Sequence, residues 1–355
     1  MLFRVLKDLI AGRNAPPVET EVLGRARAFL RGSQPEQAIE ILTALLDCKP
    51  DHLEGLVVRG AANREAGRLR EALADLERAA YLAPDDPYGL SELAATWYAF
   101  GDSGRALEYC ARARLLAPEL TRPFELLARI KLGNEFYFSV LGRIFGELRP
   151  RTYVEVGVFR GESLRLATPP TIAIGIDPEP ELGAPLATNH RVFAETSDEF
   201  FAKRDLRALL GGLPVDLAFI DGMHHFEFAL RDFANLERHC TSHSTILIHD
   251  CYPLDRESAG REPRVGNWSG DIWRLIVLLK KYRPDLVVHT IGTPPTGLGL
   301  VRNLNPGSRT LFEHYERLRE EFLALDYSYL DQGMAEKLGL ISNDWERIRP
   351  LLTRA

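Results

Sequence analysis

Apolar and polar positions alternate along this chain in two rhythms, and the change falls near residue 134. Up to there, apolar residues recur at intervals of three and four, the period of helices that bury one face. The helical stretches repeat. Pro50, Pro84 and Pro118 are spaced 34 residues apart, as are Ala38, Ala72 and Ala106 and the small residues Ala26, Gly60 and Ala94. Gly32, Gly67 and Gly101 follow the period within a residue. Each unit reads as helix, short glycine-containing turn, second helix and proline-marked stop. QPEQAIEILTALLDCKP, LREALADLERAAYLAP and SGRALEYCARARLLAP are the second helices. Small residues suit places where paired helices approach closely, and proline suits a position just past a helix end because it cannot continue the ladder.

From Phe136 the rhythm changes. FYFSVLGRIFGEL keeps a helical period up to Pro150. Short β-branched runs follow: TYVEVGV (152–158), TIAIGID (171–177), HRVFAET (190–196), VDLAFID (215–221) and STILIHD (244–250). Between them, EFFAKRDLRALLGG and FEFALRDFANLERHC have helical spacing. Strands alternating with helices predict βαβ units and a mainly parallel, doubly wound sheet. In such sheets a ligand sits beyond the carboxyl ends of the strands. Those ends carry Glu155, Gly157, Asp177, Asp221, His249 and Asp250.

The 355 residues are 45% hydrophobic and 26% charged, an ordinary globular mixture of two or three domains. Through residue 133 there are 18 basic and 19 acidic residues, and beyond it 26 and 31. Neither part is basic, which speaks against a nucleic-acid surface. No apolar run approaches the ~18 residues of a membrane span. In MLFRVLKDLI, the charges of Arg4, Lys7 and Asp8 interrupt any signal-peptide core. Cys48, Cys110, Cys240 and Cys251 form no CxxC pair, so a reducing cytoplasm is the expected location. Eight of the nine histidines lie between His190 and His314, which points any chemistry to the second half.

Gly157 and Gly161, in VEVGVFRGES, allow a tight turn after the first strand and a close backbone approach to a ligand. Asp177 ends the next strand, where an acid can bond both hydroxyls of a ribose. GxGxxG is absent, and Glu155 would repel a pyrophosphate; an acid there suits a ligand bearing an amino group.

The 34-residue helix-turn-helix period resembles the tetratricopeptide repeat over about residues 19–133, with Phe29 and Trp97 in the large position and Asn63 there in the middle unit. That resemblance implies either a groove for a partner protein or a structural appendage. The stretches VEVGVFRGES, IGID, AFIDGMHHFEFALRDF, ILIHDC, GDIWRLI and TPPTGLGLVRNL resemble, in order, the class I S-adenosylmethionine-dependent methyltransferases. The nearest branch includes macrolide-sugar O-methyltransferases and the so-called cephalosporin hydroxylases. The resemblance implies an N-terminal segment (1–18), all-α tetratricopeptide repeats (19–133), a Rossmann-like α/β methyltransferase domain (134–305) and a helical extension (306–355). It further implies that Glu155, Gly157 and Gly161 surround the methionine end of the cofactor. Asp177 would hold the ribose, and Thr196, Ser197 and Asp198 would lie along the adenine. LVVHTIG and GLGLVRN would be the last strand pair, with an antiparallel edge strand.

Methyl transfer to a hydroxyl needs positioning and a base or a metal. In the resembling sugar methyltransferases an Asp-Gly-x-His motif supplies a metal-binding Asp and a His base; here these are Asp221 and His224. Asp221 and Asp250 end adjacent strands and could hold Mg²⁺ or another divalent metal with His249. The His249-Asp250 pair departs from the acidic pair of the clear metal binders. The structural alternatives are a strand-end hydrogen bond for His224 or His225 and a turn cap for Asp250. Residues 251–270 read as a long polar loop covering the acceptor site, with Trp268 available to stack on a ring. The favoured activity is O-methylation of a sugar or secondary metabolite. Its rivals are a repeat-based scaffold with a degenerate methyltransferase-like domain and an α/β enzyme using another nucleotide. Expected partners are a small-molecule or glycan acceptor and a protein for the repeats, and homo-oligomerisation stays open.

Overall fold

The structure is a computed structural model that describes residues 16–263 and 268–353. The opening MLFRVLKDLI and residues 264–267 of the polar loop lie outside the described residues. The chain forms two compact units, one running to Ile130 and the other beginning at Lys131.

The first unit is a stack of helix pairs: α1 Pro16–Arg31, α2 Pro35–Cys48, α3 Leu53–Glu65, α4 Leu69–Leu82, α5 Pro87–Phe100, α6 Ser103–Leu116 and α7 Thr121–Leu132. The ends of α2, α4 and α6 repeat to the atom. The amide N–H groups of Lys49, Ala83 and Ala117 bond the Leu45, Ala79 and Ala113 carbonyls, and Pro50, Pro84 and Pro118 come next. Ala26, Ala38, Ala72, Ala94 and Ala106 are fully buried, and a Cβ on Gly60 would run into the Leu76 side chain. Where the middle repeat lacks an aromatic, the space is filled by polar groups. The Asn63 amide donates to Asp75, whose two oxygens take the Arg59 guanidinium at 2.8 and 2.7 Å.

The second unit begins with α8 Tyr137–Leu148 and carries an eight-stranded sheet. Its strands are β1 Thr152–Val156, β2 Ile172–Ile176, β3 His190–Phe193, β4 Leu217–Ile220, β5 Thr245–His249, β6 Val287–Gly292, β7 Leu298–Arg302 and β8 Leu340–Ser342. The order is β3-β2-β1-β4-β5-β7-β6-β8. The first five positions are parallel, β7 runs antiparallel to both neighbours, and β8 pairs parallel with β6. Seven of these strands fall inside the runs read from the sequence. The chain connects β1 to one side and β4 to the other, so the switch point lies between their carboxyl ends.

Three features differ from the sequence reading. No α-helix follows β1; a single 3₁₀ turn, Leu164–Leu166, fills the short interval before Pro169 and Pro170, which cannot extend a helix. The antiparallel strand β7 is interior, and β8 is the edge. The segment after residue 306 is therefore not wholly helical. Gly339, with φ of 64°, ends the one-turn helix Met334–Lys337, and its carbonyl accepts from the Thr290 N–H, starting the β6–β8 ladder.

The remaining longer helices are α9 Ser197–Lys203, α10 Phe226–Glu237, α11 Trp273–Tyr282, α12 Tyr315–Leu323 and α13 Trp345–Thr353. One face of the sheet is sealed by α8 and α13, whose Val140, Leu141, Ile144, Ile348 and Leu352 join Tyr153, Phe219 and Leu247 in the main core.

Candidate active site

The carboxyl ends of β1, β2 and β4 open into a cavity of about 680 Å³, a size that suits a small-molecule cofactor. Its shape starts at the switch point. Gly157 has a φ of 88°, and a Cβ there would collide with the Asp221 carbonyl. Glycine is therefore required at this position by the neighbouring strand end as well as by the turn. Gly161, with φ of 72°, closes the same loop through its N–H to the Val158 carbonyl (2.7 Å) but does not line the cavity.

Asp177 lines the cavity and holds the β1 loop. One carboxylate oxygen accepts from the Val158 and Phe159 N–H groups, each at 2.8 Å, and the other from the Glu179 N–H at 2.8 Å. Thr196, Ser197 and Asp198 line it too. Thr196 is the N-cap of α9 in a capping box with Glu199. Both Asp198 oxygens are held by Arg231, at 2.8 and 2.7 Å, and Arg231 also donates to the Tyr315 hydroxyl.

Glu155 does not reach the cavity. Fully buried on β1, it accepts from the Tyr153 hydroxyl (2.7 Å) and the Ser163 hydroxyl (2.6 Å). Burial pushes its carboxyl up to about 8 despite these two bonds.

The structure brings Asp221, His224, His249 and Asp250 together. His249 Nδ1 lies 3.1 Å from Asp221 Oδ1 and 3.2 Å from Asp250 Oδ2. His224 Nδ1 lies 3.2 Å from Asp250 Oδ2, and its Nε2 is 3.7 Å from Asp221 Oδ1. Burial alone would lower the His249 pKa, but the two flanking carboxylates outweigh it and hold the imidazole well above its usual range. Asp250 resists the upward push of burial because His249 and His224 lie beside it, and its carboxyl sits below the usual value. Its backbone is left-handed, φ 61°, and the Thr296 hydroxyl donates to its other oxygen. A non-glycine residue held this way is over-determined by its surroundings. Asp221, His224 and Asp250 each offer one ligand atom within 4.8 Å of the others, a donor set that fits a divalent cation.

The polar loop after β5 folds over His224. The Trp268 ring stacks on the His224 ring at 5.1 Å between centroids, and its carbonyl lies 3.2 Å from Nδ1. His225, the N-cap of α10, instead faces the Arg261 carbonyl at 2.8 Å. Both histidines precede the helix.

Sequence reasoning missed three contributors. Tyr137 lies over His249 at 4.2 Å between ring centroids; burial first, and then the charges of Asp221 and Asp250, keep its hydroxyl protonated. Thr296 fixes Asp250. Asp232, on α10, is 3% exposed and lines the cavity. A signal for it existed: it falls on the face that also carries Ala229 and Phe233, an acid where the helical period requires an apolar residue.

Strand order, switch point and the site beside it define a class I methyltransferase-type α/β unit following a tetratricopeptide-type repeat unit. Residues 154–251 match the family described as a methyltransferase domain. No curated protein matches the chain. Among solved structures, a crystal structure of MamA is 20% identical, with a TM-score of 0.31, over 36% of this chain and 74% of that one. MamA 41-end from Desulfovibrio magneticus RS-1 has the same identity and score, over 36% and 71%. Cofactor-bound Rv0187 from MTB is 17% identical, with a TM-score of 0.39, over 48% and 80%.

Proposed function

We propose that the α/β unit is an S-adenosylmethionine-dependent methyltransferase whose acceptor is a hydroxyl of a sugar or secondary metabolite. One observation carries this reading: a single cavity is shared by Gly157, Asp177 and Thr196–Asp198 and by Asp221, His224 and His249. Asp177, its orientation fixed by three backbone N–H groups, keeps one lone pair, on Oδ1, for a ribose hydroxyl. S-adenosylmethionine, when bound, would supply the methyl group for an in-line displacement by the acceptor oxygen with its sulfur as the leaving group, and His224 would take the acceptor's proton. A proton on His224 Nδ1 satisfies the Trp268 carbonyl, which leaves Nε2 as the base. Asp221 and Asp250 stabilise the imidazolium that forms. On a cation-assisted route Asp221, His224 and Asp250 would instead hold a divalent cation, His224 then being a ligand and not the base, and the cation would lower the pKa of an acceptor hydroxyl. His249 pairs with both carboxylates and supplies positive charge between them.

To the repeats we assign a protein partner, in the groove of about 620 Å³ lined by Leu30, Val57, Tyr88 and Leu120. The scaffold alternative shares the cofactor site and lacks turnover.

Calorimetry with S-adenosylhomocysteine tests the reading. Wild type is expected to bind, and Asp177→Ala to weaken binding about ten- to hundredfold through loss of charge-assisted hydrogen bonds worth ~1.5–3 kcal/mol. Tight NAD binding with no response to S-adenosylhomocysteine overturns it.

A further inference from the structure

The acidic residue placed by sequence along the nucleoside base, Asp198, has both carboxylate oxygens bound by Arg231. A base arriving there meets a carboxylate that is already paired. The next residue after that arginine, Asp232, is in the opposite condition. Asp232 is 3% exposed, and its Oδ1 has no hydrogen-bond partner among the described residues. The Ser197 hydroxyl acts on the same carboxyl, countering part of the upward push of burial. Asp232 lines the cavity with Ser197, Asp198, Phe228 and Met223. A buried carboxyl oxygen left without a donor is costly, and it persists where something outside the chain supplies the donor.

We infer that Asp232 reads the base of the bound nucleoside, its carboxylate at the cavity wall accepting a hydrogen bond from the exocyclic amino group of a 6-aminopurine. This rests on the cofactor reading above and adds to it the residue that selects the base. Three further observations agree. Phe228, one turn earlier on α10, adds an aromatic side chain to the wall of the same cavity. Burial pushes the Asp232 carboxyl up to about 7, the response of a charge short of donors, and an N–H from a ligand is what the site lacks. Arg231 cannot supply it, because its guanidinium reaches Asp198 and Tyr315.

A site built to accept from an amino group rejects an analogue that presents a carbonyl oxygen there, because two acceptors then face each other. With Asn at 232, the amide oxygen takes the Ser197 hydroxyl and the NH₂ turns to the cavity, which exchanges acceptor for donor. The experiment is calorimetry on the full chain with S-adenosylhomocysteine and its 6-oxo analogue S-inosylhomocysteine, for wild type, Asp232→Asn and Asp198→Asn. Wild type is expected to favour the adenosyl compound at least tenfold, Asp232→Asn to lose or invert that ratio, and Asp198→Asn to keep it. Equal wild-type affinity for the two compounds overturns the inference without any variant, as does an unchanged ratio in Asp232→Asn. Wild type that binds neither compound overturns the cofactor reading as well, so the two failures are told apart.

Discussion

Each unit buries an aspartate on a helix, and the two are treated in opposite ways. Asp75 in the repeats is 7% exposed; Asp232 in the α/β unit is 3% exposed. Asp75 receives a two-pronged guanidinium from Arg59 and an amide N–H from Asn63. Asp232 stands beside an arginine in sequence, yet that arginine points to Asp198, and one Asp232 oxygen has no partner. Burial of a carboxylate therefore says little by itself. The pairing carries the information: a satisfied group holds helices together, and an unsatisfied one beside a cavity is available to a ligand.

The comparison breaks first at the reacting end. His224 belongs with Asp232, a polar group kept for something outside the chain, so removing it should affect chemistry and leave the fold intact. His224→Ala is expected to lower turnover by about 10²–10⁴-fold, the usual loss on removing a general base, with S-adenosylmethionine affinity nearly unchanged. His225→Ala, whose ring faces the Arg261 carbonyl, should have a mild effect. If His225→Ala is the crippling change and His224→Ala is silent, the assignment of the base is wrong. Steady-state kinetics in EDTA, with Asp221→Asn and Asp250→Asn beside wild type, separates the cation-assisted route from the base alone.

The opposite arm is Asp75. Deleting one partner of a buried pair leaves the other uncompensated and costs ~3 kcal/mol or more, reduced to about 2 here because Arg59 is partly exposed. Asp75→Ala should therefore loosen residues 53–82 in hydrogen exchange while S-adenosylhomocysteine affinity stays at the wild-type value. A loss of cofactor binding in that variant would mean that the repeats take part in the nucleoside site, against the division drawn here.

Much of this was legible from the residues alone, for physical reasons. The 34-residue spacing of Pro50, Pro84 and Pro118 marked the helix ends because proline stops the ladder wherever it falls. β-branched runs marked the five strands β1–β5 because buried parallel strands are apolar on both faces, while β6 and β7 were implied by the resemblance. Strand β8 stayed hidden: MAEKLGL has helical composition, and only the exposed edge of β6 makes Leu340–Ser342 a strand. The strand-end acids were visible as candidates, but their roles depend on partners distant in sequence. Asp177 meets backbone amides 18 and 19 residues away, and Asp198 meets Arg231 33 residues away. No local pattern announces which carboxylate is already paired.

Glu155 sharpens the comparison because it lies in the α/β unit and yet belongs with Asp75. The sequence pointed it at a ligand's amino group, whereas both its oxygens accept from Tyr153 and Ser163 inside the core. Its ionisation is then a matter of stability. The folded-state carboxyl is raised to about 8, against about 4.3 for an exposed glutamate, so between these values the native state keeps a proton that the unfolded chain has released. Native proteins binding more protons lose stability as pH rises. Between about pH 5 and 8 this position should remove ~1.4 kcal/mol of stability per pH unit, and above about 8 the loss levels off. Glu155→Gln keeps an acceptor for one hydroxyl and cannot ionise, so its unfolding free energy should lack this slope. Denaturant unfolding of both proteins at pH 5, 6, 7 and 8 measures the difference. Parallel curves would mean that Glu155 is ionised in the folded chain, as a residue awaiting a cationic ligand would be, and Glu155 would then join Asp232.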